Sequence, residues 1–363
     1  MSAYLLPLVL AGGIALPWLF GRLVLDGENL SRYDGAPGQR FGSNRPEHAG
    51  VKAAMARLAP GNTPPPGLSR QQRIDFKRAQ FDHMFDHFPH DAVFTALGDT
   101  AVRGEWVMAP GADPARRMLY IHGGGLVVGS ARSHRPITAR MSALFGGAVL
   151  SLDYRLLPEY KRLDGVEDTR QAYRWMLENG PHGPAAASAL LVAGDSAGGN
   201  LTLALLPWIR EQGLRLPNGA IALSPATDGT LSSPSIRANA DSDYMLGPAL
   251  KGIARVPRPL LLWLSWLHYG VKPNDPAVSP IHADLHGLPP ILVHASETEI
   301  LYDDARRYVN RARAAGTPAT LQTWNNTLHV WHMFEQELPE AGEAYTQIGR
   351  FIATVAPHQK ATP

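Results

Sequence analysis

Gly194-Asp195-Ser196-Ala197-Gly198-Gly199-Asn200 separates an apolar run, Ala189 to Ala193, from a second one, Leu201 to Ile209, whose apolar residues fall at helical spacing. The first run has the length of a strand and the second continues as a helix. One serine is left at the apex of a strand–turn–helix unit. Gly194, Ala197 and Gly198 carry little or no side chain, so the turn can be tighter than ordinary residues allow. A G-x-S-x-G turn of this kind holds its hydroxyl out above the end of a sheet, with a helix N-terminus beneath it. A serine capping a helix in a glycine-rich turn would give the same five letters. The rest of the chain decides between them.

Outward from this turn, strands and helices alternate. Upstream, Met118 to Ile121 and Ala148 to Leu152 read as strands, and Pro136 to Leu144 and Val166 to Leu177 as helices. Downstream, Ala220 to Leu223, Pro290 to Val293 and Ala319 to Trp324 read as strands, and Tyr302 to Ala315 and Pro339 to Val355 as helices. Pro136 suits a first helical turn, and Pro207 is expected to kink the helix after the serine. Val93-Phe94-Thr95 and Val102 to Met108 flank Gly98-Asp99 as a hairpin does. Repeated strand–helix units imply an α/β fold, a mostly parallel central sheet with helices on both faces. Ligands then bind beyond the strand C-termini, where the serine turn falls. The rhythm breaks from Thr230 to Lys272, a stretch that includes a short mixed run from Leu250 to Ile253, and it has not begun before Asp91.

Of the 363 residues, 45% are hydrophobic, enough for a sizeable core. Thirty-four basic and 32 acidic residues leave a formal charge of +2, and the basic ones are scattered, so there is no footprint for nucleic acid. There is no cysteine, which excludes disulfides, thiolate chemistry and cysteine-ligated metals. His83 and His87 stand four apart, with His90 close behind. Two imidazoles on one helix face could bind a metal, but no matching third ligand set accompanies them.

His122-Gly123-Gly124-Gly125 directly follows the Met118–Ile121 strand. Its glycines leave backbone N–H groups bare, able to approach a negative charge developing on an oxygen. A phosphate cradle also uses glycines, but neither G-K-[ST] nor G-x-G-x-x-G occurs here in the context it needs. An HGGG loop about seventy residues before a G-x-S-x-G turn is a specific combination. Four further stretches join these two: Asp153-Tyr154-Arg155-Leu156-Leu157-Pro158-Glu159, Leu223-Ser224-Pro225-Ala226-Thr227-Asp228, Ser279-Pro280-Ile281 and Leu328-His329-Val330-Trp331-His332. On these motifs the chain resembles the hormone-sensitive-lipase family of α/β-hydrolases, the bacterial family IV esterases, over roughly Phe94 to Val355. The resemblance implies an α/β-hydrolase fold and a serine carboxylesterase that cleaves small to medium acyl esters through an acyl-enzyme, with no metal or organic cofactor. A lactone hydrolase or a lipase would use the same residues. An acyltransferase, an amidase or a non-catalytic binding protein on the same fold are further alternatives.

The resemblance makes Ser196 the nucleophile and assigns the oxyanion hole to Gly123, Gly124 and Ala197. For the acid, Glu299-Ile300-Leu301-Tyr302-Asp303 matches the family's Asp-x-Leu-x-Asp with glutamate in the catalytic place, and Asp303 is the alternative. His329 falls at the catalytic histidine, with His332 as the alternative. The order Ser196, Glu299, His329 is that of the α/β-hydrolases. Where the family often has a His-Pro-Phe-Pro-like segment, this chain has Tyr160-Lys161-Arg162-Leu163, read as a changed loop surface that touches no catalytic group. Trp263, with Trp266, His268 and Tyr269, would line a substrate pocket or merely pack the cap. Trp331, two residues after His329, is a second candidate for substrate contact.

Three parts are expected: an apolar segment over 1–25, an N-terminal cap region over 26–90 with a helix from Pro46 to Leu58 and another from Leu68 to Phe85, and a catalytic domain over 91–357 with a cap insertion at 230–272. Ala3 to Gly21 carries no charge and is long enough to span a bilayer. It reads as a membrane anchor or interfacial helix, a cleaved signal peptide, or an arm packed on the enzyme. Arg22 and Arg32 follow it and no basic residue precedes it, which places the remainder in the cytoplasm, membrane-associated or free, with export as the alternative. The expected partners are a small-molecule ester or lactone and a membrane surface, and a homodimer is compatible with the sequence.

Overall fold

Alternation along Met118 to Ile121 sends Met118 and Tyr120 into one apolar cluster and Leu119 and Ile121 into another, on the opposite face of a sheet. The computed structural model describes residues 15–42, 49–58, 63–250, 252 and 256–358. Its strands in chain order are β1 (Gln39–Phe41), β2 (Val93–Ala96), β3 (Gly104–Met108), β4 (Asp113–Ile121), β5 (Gly147–Leu152), the short pair β6 (Asn179–Gly180) and β7 (Gly183–Pro184), β8 (Ala189–Asp195), β9 (Gly219–Leu223), β10 (Ile291–Ser296) and β11 (Ala319–Trp324). Nine of them form one sheet in the order β1-β11-β10-β9-β8-β4-β5-β3-β2. It is parallel from β1 to β5 and antiparallel only where β3 meets β5 and β2. Helices Arg135–Phe145 and Pro339–Val355 cover one face. Helices Arg162–Glu178, Ser196–Glu211 and Tyr302–Ala314 cover the other.

The expected hairpin is β2–β3. The helix after the serine runs on through Pro207 to Glu211. Strand β1 is an addition: Gln39 to Phe41 join the sheet edge beside β11, so residues within 26–90 extend the central sheet. The helix expected over Leu68 to Phe85 spans Arg70–His83, begun by a Ser69 capping box. The Pro46 to His48 start of the preceding helix, residues 3–14 of the apolar segment, and Lys251 and Ile253 of the insertion lie outside the described residues.

The topology sets the site. After β4 the chain adds β5 on one side and later returns to place β8 on the other. The loops leaving β4 and β8 therefore meet at a switch point, with Ile121 paired to Gly194. β10 and β11 are neighbours in the same way, with Ser296 opposite Trp324. Above these ends, the insertion folds into short helices at Ser235–Ala238 and Gly247–Leu250 and a longer one at Arg258–Tyr269. A helical stretch over 15–25 lies against the last, with Phe20 and Trp266 rings 5.1 Å apart. Among the described residues no helix is long and apolar enough to cross a membrane.

Gly198 marks the tightest point. A Cβ there would overlap the carbonyl oxygen of Ile121 at the end of β4. Gly198→Ala is accordingly expected to cost about 1–3 kcal/mol of stability through overpacking, measured by urea unfolding. An unchanged midpoint would contradict this close approach.

Candidate active site

Ser196 begins its helix with φ of 51°, a left-handed value that a non-glycine residue adopts only under constraint. The chain arrives from β8, reverses over the serine and enters the helix, which leaves the side chain half-buried at the sheet end. His329 Nε2 lies 2.9 Å from Ser196 Oγ. On the other side of the ring, His329 Nδ1 lies 2.5 Å from Glu299 Oε2. Glu299 is 1% exposed, and its Oε1 accepts the N–H of Ser296 at 2.9 Å. Burial pushes the Glu299 pKa up, against the pull of its bond to His329. Burial also works to lower the pKa of His329, but the bond to Glu299 and the carboxylates of Asp243 and Asp195 outweigh it and hold the value above the ordinary 6.5.

The two alternatives lie elsewhere. Asp303 accepts the Ser235 N–H at 2.8 Å and pairs with Arg306 at 2.7 Å, so its carboxylate fastens the insertion. His332 is buried with its Nε2 3.1 Å from His294 Nδ1, and burial drives both rings to the neutral form.

The glycine loop differs in detail from expectation. The N–H of Gly123 donates to Asp195 Oδ1 at 3.1 Å, so it is already committed within the protein. The same oxygen accepts the Tyr120 hydroxyl at 2.7 Å, and His134 Nε2 lies 3.4 Å from Oδ2. Burial alone would raise the Asp195 pKa, but His134 and Tyr120 hold it below the usual value, and the group stays ionised. Gly124 and Gly125, with φ of 105° and 61°, turn the loop outward. Among the described residues, the N–H groups of Gly124, Gly125 and Ala197 meet no acceptor.

Two readings of the sequence are corrected. Trp331 is 0% exposed: it packs against Trp324 with ring centroids 5.1 Å apart, and its indole N–H donates to the Glu340 carbonyl. Val330, with φ of 50°, turns the chain inward after His329 and carries Trp331 into the core. Arg162 is not loop surface. It is buried and donates to Asn200 Oδ1 at 2.7 Å, while the Asn200 amide bonds the carbonyls of Ala226 and Val278. The departing segment thus reaches the helix of the serine. Trp263 lies half-buried on the Arg258–Tyr269 helix.

The histidine cluster does not converge. The helix ends at His83, which pairs with Asp86, while His87 meets Arg57 and His90 stacks edge-on to Phe94. Among the described residues no group of three His, Cys, Asp or Glu is placed to hold a metal. Sequence reasoning missed the clamps on the loops. Arg78, on the Arg70–His83 helix, donates to the carbonyls of Val127 and Leu157 at 2.8 Å and pairs with Glu159. Its only signal in the sequence is an arginine on a charged helix face.

The family profile described as the alpha/beta hydrolase fold matches residues 118–333. An acetyl-hydrolase of Streptomyces hygroscopicus is 35% identical over 291 residues, 79% of this chain and 92% of that protein. An esterase of Acinetobacter venetianus is 32% identical over 256 residues, 70% of this chain and 80% of that protein. Among solved structures, an esterase from the bacterial hormone-sensitive lipase family is 36% identical with a TM-score of 0.72, covering 86% of this chain and 99% of its own.

As a core residue, Trp331 changed to alanine should destabilise the protein by about 3–5 kcal/mol in urea unfolding and leave substrate preference alone. A changed preference at unchanged stability would return Trp331 to the pocket.

Proposed function

Because the chain belongs to the hormone-sensitive-lipase family of α/β-hydrolases and is a carboxylesterase, we propose that Ser196, His329 and Glu299 carry out its ester cleavage. The observation that carries this reading is the unbroken line from Ser196 Oγ through both nitrogens of His329 to Glu299. Neutral His329 takes the hydroxyl proton as Oγ attacks the ester carbonyl carbon. Glu299 fixes the ring with its proton on Nδ1 and stabilises the imidazolium that forms. The carbonyl oxygen, now negative, is received by the N–H groups of Gly124 and Ala197, with Gly125 in the place expected of Gly123. Each such donor lowers the barrier by about 3 kcal/mol. His329 returns its proton to the alcohol oxygen as the C–O bond breaks, leaving Ser196 acylated. Water, deprotonated by His329, then releases the acid and restores the serine.

The acyl group is proposed to be small to medium. In support, a relative of 35% identity is named an acetyl-hydrolase. The half-buried Trp263 and its neighbours on the cap are proposed to bound the substrate space. Residues 26–90 and 230–272 are proposed to act together as the cap over the catalytic sheet.

Contact with a lipid surface is proposed through the helical stretch 15–25. In support, Leu16 and Leu23 are 70% and 76% exposed, and Leu264 and Leu267 are exposed on the helix packed beside it. Apolar side chains gathered in this way mark an interaction surface. Full-length protein is expected to float with phosphatidylcholine vesicles, and a Leu16→Ser/Leu23→Ser variant to remain in the aqueous fraction with normal activity on a water-soluble ester. Equal flotation of both would count against it.

Ser196→Ala is expected to lower kcat by several orders of magnitude, and Glu299→Gln by about three to four. Asp303→Asn should affect stability more than turnover, because its partners are Ser235 and Arg306. The reverse ranking of the two acids would move the assignment. The working base must be neutral and its pKa is raised, so falling pH should remove activity early. The acid limb of kcat/KM is expected to lie above the ordinary imidazole value of 6.5.

A further inference from the structure

The loop that carries Glu299 is held from two sides. On the sheet side it closes on itself, with the Glu299 N–H to the Ser296 carbonyl and the Ser296 N–H to the Glu299 carboxylate. The other side is held by the insertion. The Asn239 amide donates to the carbonyls of Glu297 and Glu299 at 2.9 and 2.8 Å. The Ser242 hydroxyl donates to the Thr298 carbonyl at 2.9 Å. Asp243 Oδ2 accepts the N–H of Ile300 at 3.0 Å, and its Oδ1 accepts those of Met245 and Leu246 at 3.0 and 2.9 Å. Every residue from Glu297 to Ile300 is thus bonded to the segment between Asn239 and Asp243.

Asp243 is 4% exposed. Burying a carboxylate is unfavourable unless hydrogen bonds or opposite charge compensate. Three backbone N–H groups supply part of this. A second buried carboxylate, that of Glu299, stands close enough to oppose it. An amide or a hydroxyl could hold the Ile300 N–H or cap Met245 and Leu246 without the repulsion, but with a single acceptor oxygen it could not do both. A carboxylate does both, and it adds negative charge near an imidazole that must become a cation in the transition state.

We propose that Asp243 is a positioning residue for the catalytic pair: it fixes the backbone that follows Glu299 through the Ile300 N–H, and its charge joins that of Glu299 behind His329. The proposal rests on the assignment of Glu299 and His329 above. The charges that face His329 are Glu299 on the loop after β10, Asp243 on the insertion and Asp195 at the end of β8. The nearby His332 and His294 are neutral and buried. With one of three carboxylates removed, the His329 pKa falls and the neutral base survives to lower pH.

The test compares Asp243→Ala, Asp243→Asn and Asn239→Ala in the full chain, with rates normalised to sites titrated by an organophosphonate. Asp243→Ala should lose about 10- to 100-fold in kcat with KM little changed, the size of effect that small misplacement of a catalytic group produces. Asp243→Asn keeps one acceptor oxygen for the Ile300 N–H and gives up the bonds to Met245 and Leu246. It should recover part of the kcat that Asp243→Ala loses, while its acid limb moves to lower pH than wild type. Asn239→Ala should lose kcat with the acid limb in place. The proposal is overturned if both Asp243 variants keep the wild-type kcat per titrated site, or if the acid limb of Asp243→Asn stays where it was. Glu299→Gln separates the two readings. If it stays active, the assignment of the acid fails; if it is inactive and the Asp243 variants behave as wild type, the clamp alone fails.

Discussion

The catalytic end depends on how closely β4 and β8 approach. Ser196 is held at a positive φ that is unfavourable by about 1–3 kcal/mol and persists only where the surroundings over-determine it. Here they do. Gly198 lies against the Ile121 carbonyl, and Gly194, one residue before Asp195, is paired with Ile121 in the sheet. The Asp195 side chain then reaches across to the first glycine of the neighbouring loop. One residue thus ends the strand that leads to Ser196 and ties down the glycine loop beside it. Loosening β4 from β8 would displace both together.

Segments outside the sheet complete what it begins. Loops at strand ends have few buried contacts of their own and are mobile unless tied. In this protein the ties come largely from residues outside the catalytic sheet. Arg78 holds the carbonyl of Val127, just past the glycines, and Asp82 accepts the Ser130 hydroxyl at 2.6 Å. The insertion holds the loop of Glu299 through Asn239, Ser242 and Asp243. Removing either the Arg70–His83 helix or the insertion would therefore loosen the loops around Ser196 and His329.

How much of this was legible follows from where each constraint resides. The α/β rhythm was legible because strands buried on both faces must be apolar throughout, as Ala189 to Ala193 are. Strand β1 was not, because Gln39-Arg40-Phe41 sits at an edge and needs no such pattern. Ser196, Glu299 and His329 were legible as letters in motifs and meet in space. The glycine loop was legible only in outline: three glycines in a row say nothing of which N–H turns inward, and Asp195 takes that of Gly123. Trp331 was misread because the left-handed turn at Val330 leaves no mark in the sequence. Arg162 was misread because a charged residue is usually exposed, and its partner Asn200 is 38 residues away. Asp243 could not be read at all, since its contact with Ile300 spans 57 residues and follows from the fold alone.

The choice of glutamate behind His329 fits the same picture. Its carboxylate must do two things at once: accept the Ser296 N–H with one oxygen and meet the imidazole with the other. An additional methylene gives the reach to do both across a four-residue turn. It also adds a torsion, and a freely rotating side chain would lose the geometry the imidazole needs. The Ser296 bond removes that freedom from the side chain, and the bonds to Asn239 and Asp243 remove it from the backbone on either side. A glutamate is therefore workable here because the insertion holds its loop, and in the proposed assignment the insertion shares in orienting His329 toward Ser196.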